Sequence, residues 1–276
     1  MPAEVTAIRA LPDPVIPDRG VLQYLSASRL KCWQTCRRQF YFRYVEQIKT
    51  RTAPALFIGQ AVHEILRIHN WARWKEEPQD LERLHAELLR YWEQQAATVD
   101  VRWKGAADEA TAKQQAWAML EAYFKQSPVA ALEKPEGVEV EVECDLGGFG
   151  IPPLIGIIDL VRPPGLIVDY KTAARAPNAA MAELQHATQL ACYALLYREA
   201  TGQPESGFEL HHLIKTKAPK IIVSAFGPMS QPRQSELFRL IDDYLSGIAA
   251  EAWIPSPGQH CSWCDYAAEC RAMSGL

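Results

Sequence analysis

Two apolar segments near the middle of the chain each carry one aspartate, and a proline-rich turn separates them. Asp159 lies in the first segment, Asp169 in the second, and Pro164 is at the centre of the turn. A hairpin that turns about Pro164 places Asp159 directly opposite Asp169, with about 5 Å between their Cβ atoms. Lys171 lies two residues beyond Asp169, so the period of a strand puts its ammonium on the same face. The sequence therefore predicts two carboxylates and one cation in one site.

The residues around this pair favour a functional site over a hairpin with solvated charges. Both segments are strongly apolar, with Ile155, Ile157, Ile158, Leu160, Ile167 and Val168. Strands of this kind are central in a sheet, where unpaired ionisable groups are costly. Two carboxylates can hold Mg²⁺ or a similar hard ion and leave positions for a phosphate and an attacking water. Lys171 would then orient that water or neutralise charge on the phosphoryl oxygens. The pattern is typical of metal-assisted phosphodiester hydrolysis.

Motifs in a fixed order along the chain resemble those of the PD-(D/E)xK nuclease superfamily, in particular its RecB-like exonuclease branch. They are residues 25–30 leading into 36–42, residues 59–64, Asp159, residues 169–171 and residues 189–193. The resemblance runs from about Leu25 to Cys270. It implies an α/β fold with a restriction-endonuclease-like core of order αβββαβ, a mixed central sheet, an inserted helical lobe and a C-terminal cysteine cluster.

The resemblance also implies roles for individual residues. His63, which without the resemblance is better explained as a core or surface histidine, becomes a metal ligand. Gln189 and Tyr193 lie one helical turn apart, where an amide and a phenol steady a phosphate or Lys171, although ordinary helix packing is the alternative. The predicted ligands of Mg²⁺ or Mn²⁺ are His63, Asp159 and Asp169. The predicted catalytic residues are Asp159, Asp169, Lys171, Gln189 and Tyr193.

The chain holds seven cysteines, and the last three stand as Cys261, Cys264 and Cys270. The length of the chain and the lack of a secretory segment argue against a disulfide framework, so this spacing indicates a metal site. Three thiolates are one short of a closed tetrahedral set. In the iron-sulfur members of the branch, which include AddB-type and CRISPR-associated exonucleases, the N-terminal motif supplies the fourth ligand. Here that residue is Cys36, with Cys32 as the competing choice. The resemblance favours a structural [4Fe-4S] cluster, and zinc is the alternative.

Length and apolar periodicity predict how the chain is organised. Residues 1–20 hold four prolines and are expected to form a disordered leader. Residues 21–276 are predicted to be the nuclease domain, with a helical insertion at about 76–130 and the iron-sulfur tail at about 251–276. No run of eighteen apolar residues occurs, so we expect no membrane span and a cytoplasmic location. Helices are predicted at about 26–46, 59–75, 79–97, 108–124, 181–201 and 231–250, with strands at 138–146, about 155–160, 167–171, 208–216 and 220–226.

The charge pattern is ambiguous for a protein that binds nucleic acid. The net charge of −4 and the pI near 6.0 give no overall basic surface. The first helical segment is locally basic, and its aromatic residues, Tyr41, Phe42 and Tyr44, either stack on bases or face the core. In the predicted strand at 138–146 three valines alternate with acidic residues, which indicates one acidic face. A solvated face is favoured, and the alternative is that one of these carboxylates contacts the metal site.

These features together predict a metal-dependent DNA exonuclease that acts on single strands or DNA ends. DNA repair, recombination, phage and CRISPR-related processing are equally open settings, with helicase, recombination or CRISPR proteins as possible partners. The alternative is a catalytically silent nuclease-fold subunit for DNA binding or assembly. A structural metal-cluster protein that serves as a platform for partners is the third hypothesis.

Overall fold

The computed structural model describes residues 20–78, 80–130, 132–147 and 150–276. All of the predicted leader except Gly20 lies outside these residues. The α-helices are α1 (Ala27–Thr35), α2 (Arg37–Phe40), α3 (Pro54–Trp74), α4 (Leu81–Ala96), α5 (Ala106–Lys125), α6 (Ala179–Thr201), α7 (Gln231–Ala249) and α8 (Ala267–Met273). The strands are β1 (Gly137–Cys144), β2 (Leu154–Arg162), β3 (Leu166–Ala173), β4 (Gly207–Ile214) and β5 (Lys220–Phe226).

These strands form one mixed sheet in the order β1-β2-β3-β4-β5. Neighbouring strands are antiparallel except β3 and β4, which are parallel and joined by the crossover helix α6. A parallel neighbour needs such a crossover, whereas a short turn is enough for the antiparallel pair β2 and β3. The predicted α/β class with an αβββαβ core and a mixed sheet is therefore confirmed, and β5 extends it by one strand.

Helices cover both faces of the sheet. Ile167 packs in a core cluster with residues of α1, α6 and α7, whereas its neighbour Val168 packs in a second cluster with residues of α3, α4 and α5. Successive strand side chains point to opposite faces, so an apolar run such as this one is suited to a strand that is buried on both sides. β3 therefore lies in the centre of the molecule, as its sequence predicts.

Helices α4 and α5 lie between α3 and β1, within the span predicted to be a helical lobe. Leu84, Leu88 and Trp92 recur every four residues on α4 and are all buried. This spacing puts them on one face, which packs on the cluster shared with α3 and α5. The boundaries of the leader, the insertion and the tail remain predictions.

Strand β1 differs from the prediction of one continuous acidic face. Val140 and Val142 contact one core cluster, whereas Val138 belongs to the other. The backbone between them is in the left-handed region, because Glu139 has a φ of 48°. A residue in this conformation changes the direction of the strand and reverses which face its neighbours occupy. Glu139 consequently does not lie on a solvated acidic face.

The predicted first helix is interrupted at Cys36. Ser26 caps α1 by accepting a hydrogen bond from the Arg29 amide at 3.3 Å, but Cys36 is extended, with φ −166°. The chain continues as α2 and a π-helical turn, Tyr41–Val45. Phe42 is buried there against Tyr266, so it faces the core and is not available to stack on bases.

In the part of the chain that the structure describes, no helix combines the length and the apolar character that crossing a bilayer requires.

Candidate active site

The predicted aspartates lie where β2 and β3 separate. The two strands pair at Leu160–Val168 and at the two positions nearer the turn, and the ladder ends there. Asp159 and Asp169 are the next residues of the two strands, as the hairpin register predicts. In place of a further ladder bond, the Tyr170 amide donates a hydrogen bond to Asp159 Oδ2 at 3.0 Å. Both carboxyl groups are thus held in the fork between the strands, and both residues are buried.

Asp169 is the centre of a hydrogen-bonded group that includes three other predicted residues. Its Oδ1 accepts hydrogen bonds from Gln189 Nε2 at 2.9 Å and from the Tyr193 hydroxyl at 3.2 Å. Lys171 Nζ lies 2.5 Å from Asp169 Oδ2 and donates to Gln189 Oε1 at 3.0 Å. The amide of Gln189 therefore orients the carboxylate and the ammonium together, and the structure brings these four residues into one contact group.

Burial acts differently on the two carboxyl groups. Burial raises the pKa of Asp169, and the negative charge of Asp159 adds to this effect, while Lys171 only partly opposes it. Burial also acts to raise the pKa of Asp159, but His63 and the Tyr170 amide outweigh burial, so the pKa of Asp159 lies below its usual value. Asp159 is therefore the carboxyl group that ionises more easily.

His63 reaches the fork from α3 on the other face of the sheet. Its Nε2 lies 2.8 Å from the backbone carbonyl of Tyr170, which can only accept, so Nε2 carries a hydrogen. Nδ1 then faces Asp159 Oδ2 at 3.4 Å. Burial lowers the pKa of His63, but the charges of Asp159 and Asp169 outweigh this and raise it to about 9. The predicted ligands His63 and Asp159 are thus direct neighbours.

The prediction did not include Glu139 among the site residues. The pairs Val138–Leu160 and Val140–Ile158 on either side put Glu139 opposite Asp159 on β1. Burial is the largest effect on Glu139, and with the charge of Asp159 it raises the pKa of Glu139 to about 8. The sequence shows an acidic run here, but nothing in it marks the left-handed backbone that turns this one carboxylate towards the fork.

The predicted metal ligands are close together without forming a ready coordination set. Among the described residues, no three His, Cys, Asp or Glu side chains are arranged to hold a metal ion. The donor chemistry nevertheless fits a hard divalent ion. Asp169 Oδ2 is buried beside the Lys171 ammonium, 2.5 Å away, and accepts no other hydrogen bond from the described residues. Across the fork, Nδ1 of His63 faces a carboxylate oxygen of Asp159, and because the pKa of His63 is raised to about 9, Nδ1 would have to lose its proton before it could serve as a ligand.

The C-terminal tail returns to the break between α1 and α2. The Ser256 amide donates to Cys36 Sγ at 3.4 Å, and the Tyr266 hydroxyl donates to the Ile48 carbonyl at 3.3 Å. Burial raises the pKa of Cys264, and the nearby Cys36 and Cys261 raise it further. Burial raises the pKa of the competing residue Cys32 to about 11.

Cysteines from the two ends of the chain are therefore neighbours, as the iron-sulfur hypothesis requires. The seven cysteines are all free thiols. Within the described residues, no three of these cysteines are arranged to hold a metal ion. The cluster and the choice between Cys36 and Cys32 remain predictions.

Comparisons with known proteins agree with this geometry. The PD-(D/E)XK nuclease superfamily matches residues 24–271 of the chain. A protein from Eubacterium rectale, provisionally named an exonuclease, has a crystal structure that aligns over 94% of this chain and 93% of its own. The two share 14% sequence identity with a TM-score of 0.61, which shows a common fold. The protein SSO0001 aligns over 91% of this chain and 86% of its own, with 13% identity and a TM-score of 0.42. No curated protein matches by sequence. Because the family match extends over nearly the whole chain, the protein belongs to the PD-(D/E)XK nuclease superfamily.

Proposed function

We propose that the protein is a divalent-metal-dependent DNA exonuclease of the RecB-like branch. The observation that carries this proposal is the contact group of Asp169, Gln189, Tyr193 and Lys171, which lies beside Asp159 and His63 in the fork of the sheet. Superfamily membership supports DNA as the substrate. Structural similarity to the E. rectale protein named as an exonuclease is consistent with action on DNA ends.

Asp159, Asp169 and His63 would hold Mg²⁺ or Mn²⁺. When bound, the ion would polarise the scissile phosphate and lower the pKa of an attacking water. Two buried carboxylates offer hard oxygen ligands, and Nδ1 of His63 is the ring nitrogen that faces them. Glu139 is a further acidic group next to Asp159 and would support the same site.

The ammonium of Lys171 and the side-chain amide of Gln189 would position the reacting groups. Lys171 is 24% exposed, so its ammonium is sheltered but accessible to a phosphate oxygen or a water. Gln189 accepts from Lys171 and donates to Asp169 through the two ends of one amide, which sets the distance between them. Tyr193 donates to the same carboxylate oxygen. This arrangement keeps the lysine oriented without a conformational change during the reaction.

We further propose that Cys261, Cys264 and Cys270 bind a structural [4Fe-4S] cluster with Cys36 as the fourth ligand. The soft donor set suits iron-sulfur or zinc, and the contact between Ser256 and Cys36 brings the tail to the required place. Anaerobically purified protein should contain about four iron and four sulfide per chain. Zinc without iron or sulfide would support the alternative metal in the same site.

The cellular setting of the proposed activity remains open. A cytoplasmic location is a prediction, and so are helicase, recombination or CRISPR proteins as partners. DNA repair, recombination, phage and CRISPR-related processing would each use an exonuclease of this kind.

The test is degradation of end-labelled single-stranded and double-stranded DNA in Mg²⁺ or Mn²⁺. Wild-type protein should release label, and the Asp169→Ala and Lys171→Ala variants should lose most of the activity. Lys125→Ala is the matched control, because it removes an exposed lysine of α5 that pairs with Glu121. A wild-type protein that binds DNA without cleaving it in either metal would favour the silent subunit. Unchanged degradation by the Lys171→Ala variant would refute the assigned catalytic group.

A further inference from the structure

A cavity of about 240 Å³ opens beside the candidate active site, between α1, α6 and α7. Gln189 belongs both to its wall and to the contact group around Asp169. The cavity is therefore adjacent to the place where the scissile phosphate is proposed to lie. It is smaller than the roughly 300–1,000 Å³ of pockets that enclose drug-sized ligands, which suits a phosphate and part of its nucleotide.

Two cations border the cavity and are poorly neutralised. Lys31 on α1 lies in the wall and makes no ion pair with a described residue. The ion pairs of Arg233 on α7 with described residues are long, at 3.7 Å to Glu183 and 3.6 Å to Glu236. Among the described residues that line the cavity, Glu236 is the one acidic residue. The walls can therefore accept a ligand group that carries a negative charge.

The charges around Lys31 connect it to the candidate active site. Burial lowers the pKa of Lys31, the nearby ammonium of Lys171 lowers it further, and the carboxylate of Asp169 acts in the opposite direction. The ammonium groups of Lys31 and Lys171 are thus close enough for their charges to interact. The two cations in the wall, Lys31 and Arg233, favour a phosphate over a neutral sugar or base.

The other wall residues suit the rest of a nucleotide. Thr188 and Gln34 hydrogen-bond to each other at 2.8 Å, so their polar atoms are already oriented at the rim. Leu184, Leu237 and Leu240 supply apolar wall surface. The lining therefore combines cationic, polar and apolar side chains, which suits a terminal phosphate and part of the nucleotide that carries it.

Resting on the proposed exonuclease function, we infer that this cavity binds the terminal phosphate of a DNA strand, one nucleotide from the scissile bond. Lys31 and Arg233 contact the terminal phosphate, and Gln189 lies between it and Lys171. Helices on three sides leave room for the terminal phosphate and part of its nucleotide beyond the scissile bond. The cavity would thereby make the enzyme select strand ends.

The inference is tested by binding, in EDTA, of short fluorescent single strands that carry a phosphate at the 5′ end, at the 3′ end or at neither. Wild-type protein should prefer one phosphorylated end by about tenfold. Lys31→Gln and Arg233→Gln should each remove most of this preference while leaving the affinity for the hydroxyl-ended strand within about twofold. Lys125→Gln, which removes an exposed lysine far along α5, should keep the preference.

Cleavage of the same strands and of circular single-stranded DNA separates this inference from the proposed function. Cleavage with no preference for a terminal phosphate, or an equal loss of affinity for all three strands in the Lys31→Gln variant, would overturn the inference and leave the nuclease intact. No cleavage of any substrate by the wild-type protein would overturn the proposed function instead. The end at which a phosphate increases the affinity, 5′ or 3′, is the end that enters the cavity.

Discussion

Replacing Asp169 by Asn separates metal binding from folding. The carboxyl group is buried, and its raised pKa means that the folded protein disfavours its charge even with Lys171 beside it. A group of this kind contributes stability while it is protonated, and that contribution is lost as the pH rises through the unfolded and then the folded pKa. Once the pH is above the folded pKa, the ionised carboxylate therefore costs stability. A neutral Asn keeps an oxygen for the hydrogen bonds of Gln189 and Tyr193.

Without metal, the Asp169→Asn variant should melt at the temperature of the wild-type protein or above it. With Mn²⁺ at about 100 times its dissociation constant, the wild-type protein gains about 2.7 kcal/mol of unfolding free energy. For a chain of this length, each kcal/mol of unfolding free energy raises the melting temperature by about 2 °C, so the wild-type melting temperature should rise by about 5 °C. The variant should rise by less than about 1 °C, because it lacks one of the two ionised ligands.

Thermal melting by calorimetry or dye fluorescence, in EDTA and in Mn²⁺, measures both effects. Asp242→Asn is the matched control, since Asp242 is an exposed aspartate on α7 and should keep the full metal shift. A variant with the wild-type shift in Mn²⁺ would refute Asp169 as a ligand. A variant that melts several degrees lower in EDTA would refute the charge argument, because the ion pair with Lys171 would then be a net contributor to stability.

Three further changes test separate parts of the structure. Glu139→Gly should raise the unfolding free energy by about 1 kcal/mol, because glycine tolerates the left-handed backbone. The same variant should bind metal more weakly in a titration, and an unchanged metal affinity would show that Glu139 is not part of the site. Gly247→Ala should cost about 1–3 kcal/mol in denaturant unfolding, because the added Cβ would lie 2.3 Å from the buried ring of Trp33, and an unchanged midpoint would contradict this packing. Cys264→Ser should lower the iron or zinc bound per chain, whereas Cys192→Ser, in the core, should not; equal metal content in both would exclude the tail as the site.

The candidate site was predictable where it depends on local pattern. The centre of the turn at Pro164 and the period of a strand are enough to place Asp159, Asp169 and Lys171 near one another, and the structure has this register. His63 needed the family resemblance, because it lies about one hundred residues away in the chain and approaches from the opposite face of the sheet. Local periodicity holds no information about such a contact.

The features that the sequence did not predict come from the backbone and from tertiary contacts. At the interruption of the first helix, Cys36 contacts the C-terminal tail, more than two hundred residues away, and local periodicity does not predict such a contact. The burial of Phe42 has the same origin, since its ring packs on Tyr266 of that tail. Glu139 adopts a conformation that has no sequence signature in a glutamate, so the alternating pattern predicts a regular strand.

The separation of β2 from β3 explains why two aspartates at equivalent positions have opposite properties. Where the ladder ends, the free amide of Tyr170 turns to Asp159, and the Tyr170 carbonyl turns to His63. Asp159 thereby gains an amide donor and a cationic neighbour, whereas Asp169 depends on the side chains of α6 and on Lys171. The same break in the sheet that leaves the two carboxyl groups without ladder partners also makes one of them easier to ionise. The proposed metal site in this fork would therefore depend on the strand geometry as well as on the identity of its residues.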